Sequence, residues 1–228
     1  MMHHKIFRNM KNIQRYIEQT VLKPTAVDLD IERLVSEAKQ YHFLGICVPP
    51  FWVKKAKREI GDEAIQLVTV VGFPLGYNTT ETKIFETEQA IKNGADEIDV
   101  VWSITAFKSG MNWPKIELAK VSSLCHAQER ILKVIIETSY LSDAEILQAC
   151  EICVDAGVDY VKTSTGFAPE GAKLRHIELM REYLPSTVGI KASGGIKNLS
   201  QAVELIKAGA DRIGTSSGVE ICKELGGK

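Results

Sequence analysis

One phrase recurs three times along this chain, and it constrains the fold more than any other feature. Asn93-Gly94-Ala95-Asp96, Ala156-Gly157-Val158-Asp159 and Ala208-Gly209-Ala210-Asp211 each close an amphipathic stretch and open a run of apolar and β-branched residues. A glycine in the left-handed conformation is a common helix stop. Each phrase therefore reads as a helix end handing over to a strand, and its recurrence argues for a repeated βα unit.

The rest of the chain fits that unit. Strand-like runs fall at residues 17–22, 44–48, 67–73, 97–102, 132–138, 160–165, 188–192 and 212–215. Helical patterns lie between and after them at 30–42, 51–60, 79–92, 113–128, 143–156, 172–184, 199–208 and 219–225. Thr79 or Thr80 is a fitting cap for the third helix, and Ser142 with Glu145 has capping-box spacing. Residues 5–16 predict a short helix ahead of the first strand. Eight strands alternating with eight helices, joined by short connections without a linker, predict one (β/α)8 TIM barrel spanning residues 1–228. A doubly wound open sheet is the fallback, but no Gly-rich dinucleotide fingerprint follows the first strand.

Composition narrows the partners. A formal net charge of -1 gives no reason to expect nucleic acid or an anionic membrane. No apolar run approaches the roughly 20 residues that span a bilayer, and no signal-peptide pattern opens the chain. The five cysteines are scattered and odd in number, which predicts reduced thiols and a cytoplasmic location. Cys150 and Cys153 have CxxC spacing but sit inside a helical pattern, where packing is the expected role. His3 and His4 are terminal, and His42, His126 and His176 fall in separate helical segments, so no metal site and no cofactor are expected.

Chemistry is concentrated at the C-terminal ends of the strands, the functional rim of such a barrel. Asp99, Lys162 and Lys191 share inward parity there, each flanked by apolar or β-branched residues facing the other way. A buried Lys–Asp pair that only neutralises itself is the plain alternative, but it leaves a second lysine in excess. A lysine beside another cation in a dry pocket has its pKa pushed down and becomes a nucleophile for carbonyls. The adjacent carboxylate then relays protons. Lys133 and Glu137 share inward parity on the neighbouring strand and are expected to pair lower in the barrel. Separately, Lys191-Ala192-Ser193-Gly194-Gly195 and Gly214-Thr215-Ser216-Ser217-Gly218 follow the last two strands, where barrels often hold phosphate.

Taken together, the motifs resemble those of the deoxyribose-phosphate aldolase family. The resemblance rests on Val161-Lys162-Thr163-Ser164-Thr165-Gly166-Phe167, Lys191-Ala192-Ser193-Gly194-Gly195-Ile196 and Arg212-Ile213-Gly214-Thr215-Ser216-Ser217. It extends to Cys47-Val48-Pro49-Pro50, Gly72-Phe73-Pro74-Leu75-Gly76 with Asn78-Thr79-Thr80, and Gly94-Ala95-Asp96-Glu97-Ile98-Asp99. The match runs from about residue 17 to 219. It implies a metal-free class I aldolase that splits 2-deoxy-D-ribose 5-phosphate into D-glyceraldehyde 3-phosphate and acetaldehyde. Lys162 is then the Schiff-base lysine, Lys191 the neighbour that lowers its pKa, and Asp99 the proton relay. Gly166, Gly194, Gly195, Gly214, Ser216 and Ser217 become the phosphate contacts. Glu18, Thr20, Cys47 and Thr165 are auxiliary candidates, with Cys47 expected to line the pocket as an aldehyde-reactive thiol. Relatives are often dimers, so a homodimer is expected.

The chain departs from the family pattern at several points. Ile17-Glu18-Gln19-Thr20 replaces a usual Ile-Asp-His-Thr, Ser103 a common Asn, and Trp102 and Tyr77 smaller residues. Glu170 replaces a frequent glycine, and the chain ends Gly226-Gly227-Lys228 where some members carry a tyrosine tail. These departures keep two other readings in play: a related lysine-dependent aldolase or transferase for another sugar phosphate, and a sugar-phosphate-binding barrel without turnover.

Overall fold

In the computed structural model, which describes residues 12–226, eight parallel strands close on themselves in sequence order. They are β1 (Ile17–Thr20), β2 (Gly45–Val48), β3 (Gln66–Val71) and β4 (Glu97–Val101), then β5 (Ile131–Ile135), β6 (Tyr160–Lys162), β7 (Gly189–Ser193) and β8 (Arg212–Thr215). Around them run α1 (Asp28–Tyr41), α2 (Val53–Ile60), α3 (Thr80–Lys92), α4 (Ile104–Lys108) and α5 (Trp113–Ala127). The ring is completed by α6 (Asp143–Asp155), α7 (Leu174–Tyr183), α8 (Leu199–Lys207) and α9 (Gly218–Gly226). This is the (β/α)8 barrel that the alternation predicts. Expectations for His3, His4, residues 5–11 and residues 227–228 lie outside the described residues. The rest of the N-terminal helix is a 3-10 turn, Ile13–Tyr16, with Ile13 buried.

Side-chain caps open several of the helices. Thr79 caps α3 by accepting from the Thr82 N–H, and Ser142 and Glu145 form the reciprocal capping box of α6. The five-residue α4 is too short to show a helical period in sequence; Ser103 opens it by accepting from Ala106 N–H. Several strands stop earlier than predicted because the backbone turns while the apolar pattern continues. β3 ends where Gly72 takes φ 62°, and β5 ends short of Glu137, which has φ 54°. Both breaks fall on the functional rim.

The recurrent Gly-x-Asp phrase has a defined task at the opposite end. Asp96, Asp159 and Asp211 each accept, through Oδ2, the N–H of a residue on the preceding strand: Leu67 at 3.0 Å, Leu132 at 2.8 Å and Ile190 at 2.8 Å. Their own N–H groups bond the carbonyls of those same residues. Each carboxylate also meets a basic side chain from a preceding helix: Lys57 for Asp96, His126 for Asp159 and Arg181 for Asp211. At Gly209 (φ 114°) a Cβ would come within 2.4 Å of Arg181 Cγ, so the glycine both stops the helix and lets the arginine pass. Replacing Asp96 with alanine orphans the Leu67 amide and frees Lys57. It should cost about 1–2 kcal/mol, read as a melting temperature lower by a few degrees with kcat/KM unchanged.

The core has two apolar parts. The larger fills the space between barrel and helices, with Ile46, Leu67, Ile98, Val134, Val161 and Ile190 facing outward. A small one, Cys47, Val68 and Val70, occupies the β2–β3 side of the barrel interior. The remaining interior carries charge.

Candidate active site

Asp99 is the hub of the barrel interior. Its Oδ2 accepts from Lys162 Nζ at 2.8 Å and Lys191 Nζ at 2.7 Å, and its Oδ1 from Lys133 Nζ at 3.0 Å. Lys133 also lies 2.5 Å from Glu97 Oε2 and 3.6 Å from Glu18 Oε1. Glu18 bonds Lys191 directly, and Arg212 reaches Glu97 at 3.4 Å and Glu18 at 3.9 Å. Four basic side chains thus share three carboxylates, all of them buried. Buried ions persist only when each finds an opposite charge, and here each finds one.

Small residues make room for the long ones. Gly214, inward on β8, stands where a Cβ would lie 3.0 Å from Lys191 Cε. Lower down, Tyr160 lies against Gly189 and beneath the Arg212 guanidinium, 5.3 Å from its ring centre.

The charge states follow from these contacts. Burial pushes the Asp99 carboxyl up, but Lys133, Lys162 and Lys191 more than reverse this and hold it well below the usual carboxylate range. Glu18 is lowered as well: burial opposes, and Lys133 and Lys191 outweigh it. Burial pulls the Lys191 ammonium down, yet Asp99 and Glu18 leave it above its ordinary value. Lys191 is therefore a fixed positive charge beside Lys162.

Above this cluster opens a cavity of about 610 Å³. Of the cluster, among the described residues, Lys162 alone lines it. The walls come from the turn after β6 (Thr165, Gly166, Phe167), the turn after β7 (Gly194, Gly195, Lys197), the end of β8 with the residue after it (Gly214, Thr215, Ser216), and the end of β1 with the loop beyond (Thr20, Lys23). The turns after β6 and β7 are bonded to each other. Ser193 N–H donates to Thr163 Oγ1 at 3.1 Å, and Ser193 Oγ to the Ser164 carbonyl at 2.5 Å. At Gly171 a Cβ would come 2.1 Å from the Gly194 carbonyl oxygen, so the two backbones touch.

The expected residues distribute as follows. Lys162, Lys191, Asp99 and Glu18 form one connected cluster, and five of the six phosphate candidates face the cavity. Ser217 is not among the wall residues; its N–H donates to Thr215 Oγ1 at 2.9 Å as the chain enters α9. Thr20 lines the cavity and donates to the Glu18 carbonyl at 3.0 Å. Two expectations need correction. Cys47 is fully buried in the small β2–β3 cluster and not in the cavity wall, and burial pushes its thiol up to about 11, so it is no exposed target for aldehydes. Lys133 and Glu137 do not pair. The left-handed Glu137 breaks the strand alternation, and its Oε2 accepts from Thr165 N–H (3.1 Å) and hydroxyl instead.

Of the departures from the family pattern, Gln19 lines the cavity and Glu18 joins the cluster beneath it, while Trp102, Tyr77 and Glu170 lie outside the cavity wall. Trp102 is buried, donates to the Ile136 carbonyl at 2.9 Å and packs on Phe107. Tyr77 is exposed, and Glu170 pairs with Lys173 in solvent. Three participants escaped the sequence reading. Glu97 and Arg212 lie two residues before Asp99 and Gly214 with the same parity, a signal that was there to use. Gln19 accepts from the Gly218 N–H at 2.9 Å and donates to Glu37, tying β1 to the start of α9. Its outward parity gave no hint of that role.

The family model for DeoC/LacD family aldolases matches residues 9–224. The chain belongs to this family. Among DeoC/LacD relatives, the deoxyribose-phosphate aldolase of Caldicellulosiruptor saccharolyticus is 47% identical over 216 residues, covering 94% of this chain and 98% of that protein. Of solved structures, the aldolase QR15 superposes with a TM-score of 0.89 at 41% identity, covering 94% and 96% of the two chains. The tetrameric deoxyribose phosphate aldolase of Aeropyrum pernix gives a TM-score of 0.87 at 31% identity over 94% and 91%.

Proposed function

We propose that this DeoC/LacD aldolase cleaves 2-deoxy-D-ribose 5-phosphate reversibly to D-glyceraldehyde 3-phosphate and acetaldehyde through a Schiff base on Lys162. The observation that carries the reading is the placement of Lys162. It reaches the cavity while its Nζ shares one carboxylate oxygen with the ammonium of Lys191.

The amine of Lys162 adds to the C1 aldehyde of the open-chain sugar, and loss of water gives an iminium. The C3 hydroxyl then gives up its proton, the C2–C3 bond breaks, and its electrons flow into the iminium to form an enamine. Protonation at C2 and hydrolysis release acetaldehyde and restore the amine. Asp99 Oδ2 touches both Lys162 and Lys191 and so links them as a proton path. Glu18 holds Lys191 from the other side. The backbone at Gly166, Gly194, Gly195 and Gly214, with Ser216, receives the phosphate.

We read the whole chain as one barrel domain that assembles as a homodimer in the cytoplasm. Five unpaired cysteines support the compartment, and no described helix is long and apolar enough to cross a membrane. The test is a comparison of sugar phosphates in a coupled assay for glyceraldehyde 3-phosphate. Cleavage of the 2-deoxypentose ester, undiminished by EDTA, is expected. Preference for another sugar phosphate, or strong inhibition by the chelator, would refute the reading.

A further inference from the structure

Glu137 is the buried acid that the reaction scheme leaves unused. It sits just beyond β5 on the functional rim, yet among the described residues it neither lines the cavity nor forms an ion pair with the cluster. Its left-handed backbone (φ 54°, ψ 71°) is costly for a residue with a side chain, and such conformations persist where the surroundings hold them for a purpose.

Its contacts point one way. Oε2 receives both the N–H and the hydroxyl of Thr165, while Oε1 has no hydrogen-bond partner among the described residues. Having donated to Glu137, the Thr165 hydroxyl accepts from Phe167 N–H at 3.0 Å. The three-residue turn Thr165-Gly166-Phe167 is thus closed upon one carboxylate. Gly166, at its centre with φ 85°, faces the cavity and packs against Gly194 of the neighbouring turn. Burial raises the Glu137 carboxyl above its usual range, against the pull of the Thr165 donors and of Lys162. The site accepts that cost of burying an acid.

We propose that Glu137 is a positioning residue: through Thr165 it holds the Gly166 turn in the shape that receives phosphate. The preference for a phosphorylated over an unphosphorylated sugar then depends on a carboxylate that never meets the substrate. This rests on the aldolase reading above. The alternative is a brace for stability alone, which lowers turnover of both sugars in the same proportion.

The deciding readout is the ratio of kcat/KM for 2-deoxyribose 5-phosphate to that for 2-deoxyribose. In Glu137→Gln one charged acceptor is lost from two hydrogen bonds, and the ratio should fall about tenfold. An unchanged ratio overturns the proposal, whatever happens to the absolute rates. If Glu137→Gln fails to fold, the Thr165 variants decide. Thr165→Val should lower the ratio and Thr165→Ser, which keeps the hydroxyl, should recover it; equal ratios in both would sink the idea. Binding of inorganic phosphate by calorimetry separates the two readings. If the native protein cleaves no sugar phosphate, the aldolase reading fails, while a phosphate affinity about tenfold weaker in Glu137→Gln still supports the positioning role of Glu137 and an equal affinity rejects it.

Discussion

Lys162→Ala should lower cleavage of 2-deoxyribose 5-phosphate by about 10⁴-fold or more, because the other two lysines of the cavity wall, Lys23 and Lys197, are exposed at its mouth and touch neither Asp99 nor Lys191. Incubating the native protein with acetaldehyde and borohydride should trap a reduced adduct, and peptide mass spectrometry should find it on Lys162. The same treatment of Lys162→Ala should leave Lys191 and Lys133 unmodified. Both are buried behind Lys162, and both are held as ammonium by two or more carboxylates. An adduct on Lys191 in the native protein, or none at all on folded protein, would remove the basis of the mechanism. Thermal unfolding should show little change in the variant, since the alanine leaves Asp99 paired with Lys133 and Lys191.

Asp99→Asn should damage both folding and chemistry. Asn keeps the shape but withdraws the one negative charge that touches three lysines. Breaking a buried ion pair from one side costs about 3–5 kcal/mol. For a chain of this size that lowers the melting temperature by roughly 10 °C. Activity should fall as well, because the oxygen that joins Lys162 to Lys191 is then a neutral amide. The pH dependence has a definite sign. The Asp99 carboxyl is well below its ordinary value when folded, so its contribution to stability is present above the pKa of an unfolded aspartate, about 3.9. That contribution is lost as pH falls toward the depressed folded value. Asp99→Asn should therefore lose less stability than the native protein between pH 5 and pH 2. Melting temperatures measured across that range give the answer, and parallel curves would show that the hub contributes no linkage.

Much of this site was legible because a strand fixes parity. Asp99, Lys162 and Lys191 alternate with apolar neighbours, and that alternation survives tertiary packing, so three residues far apart in sequence arrive on one interior face. The glycine-rich turns were legible for a different reason: few other residues adopt those backbone angles. What sequence parity could not show was where each strand stops. Glu137 lies two positions beyond the last residue of β5, and the left-handed turn there points its carboxylate at Thr165 instead of Lys133. Cys47 shows the reverse limit. Its place in the pocket was implied by the family resemblance alone, and in the structure it packs with Val68 and Val70 below the cavity wall. Gln19 was missed because its partners, Glu37 and Gly218, belong to helices whose approach no local pattern encodes.

The Gly-x-Asp clips at the far end of the barrel bear on how the chain reaches this structure. Each clip joins the start of one strand to the approach of the next, across 29, 27 and 21 residues. Closing spans of that size costs modest loop entropy. A βα unit can therefore capture its successor before the ends of the chain meet. Such locally closing contacts keep mean sequence separation low and favour fast folding for a barrel of this size. Only the β1–β8 seam must join residues almost a full chain apart, Ile17 with Ile213. That seam carries Glu18, Gln19 and Gly214, so the pairing with the longest reach along the chain is also the one that completes the catalytic rim.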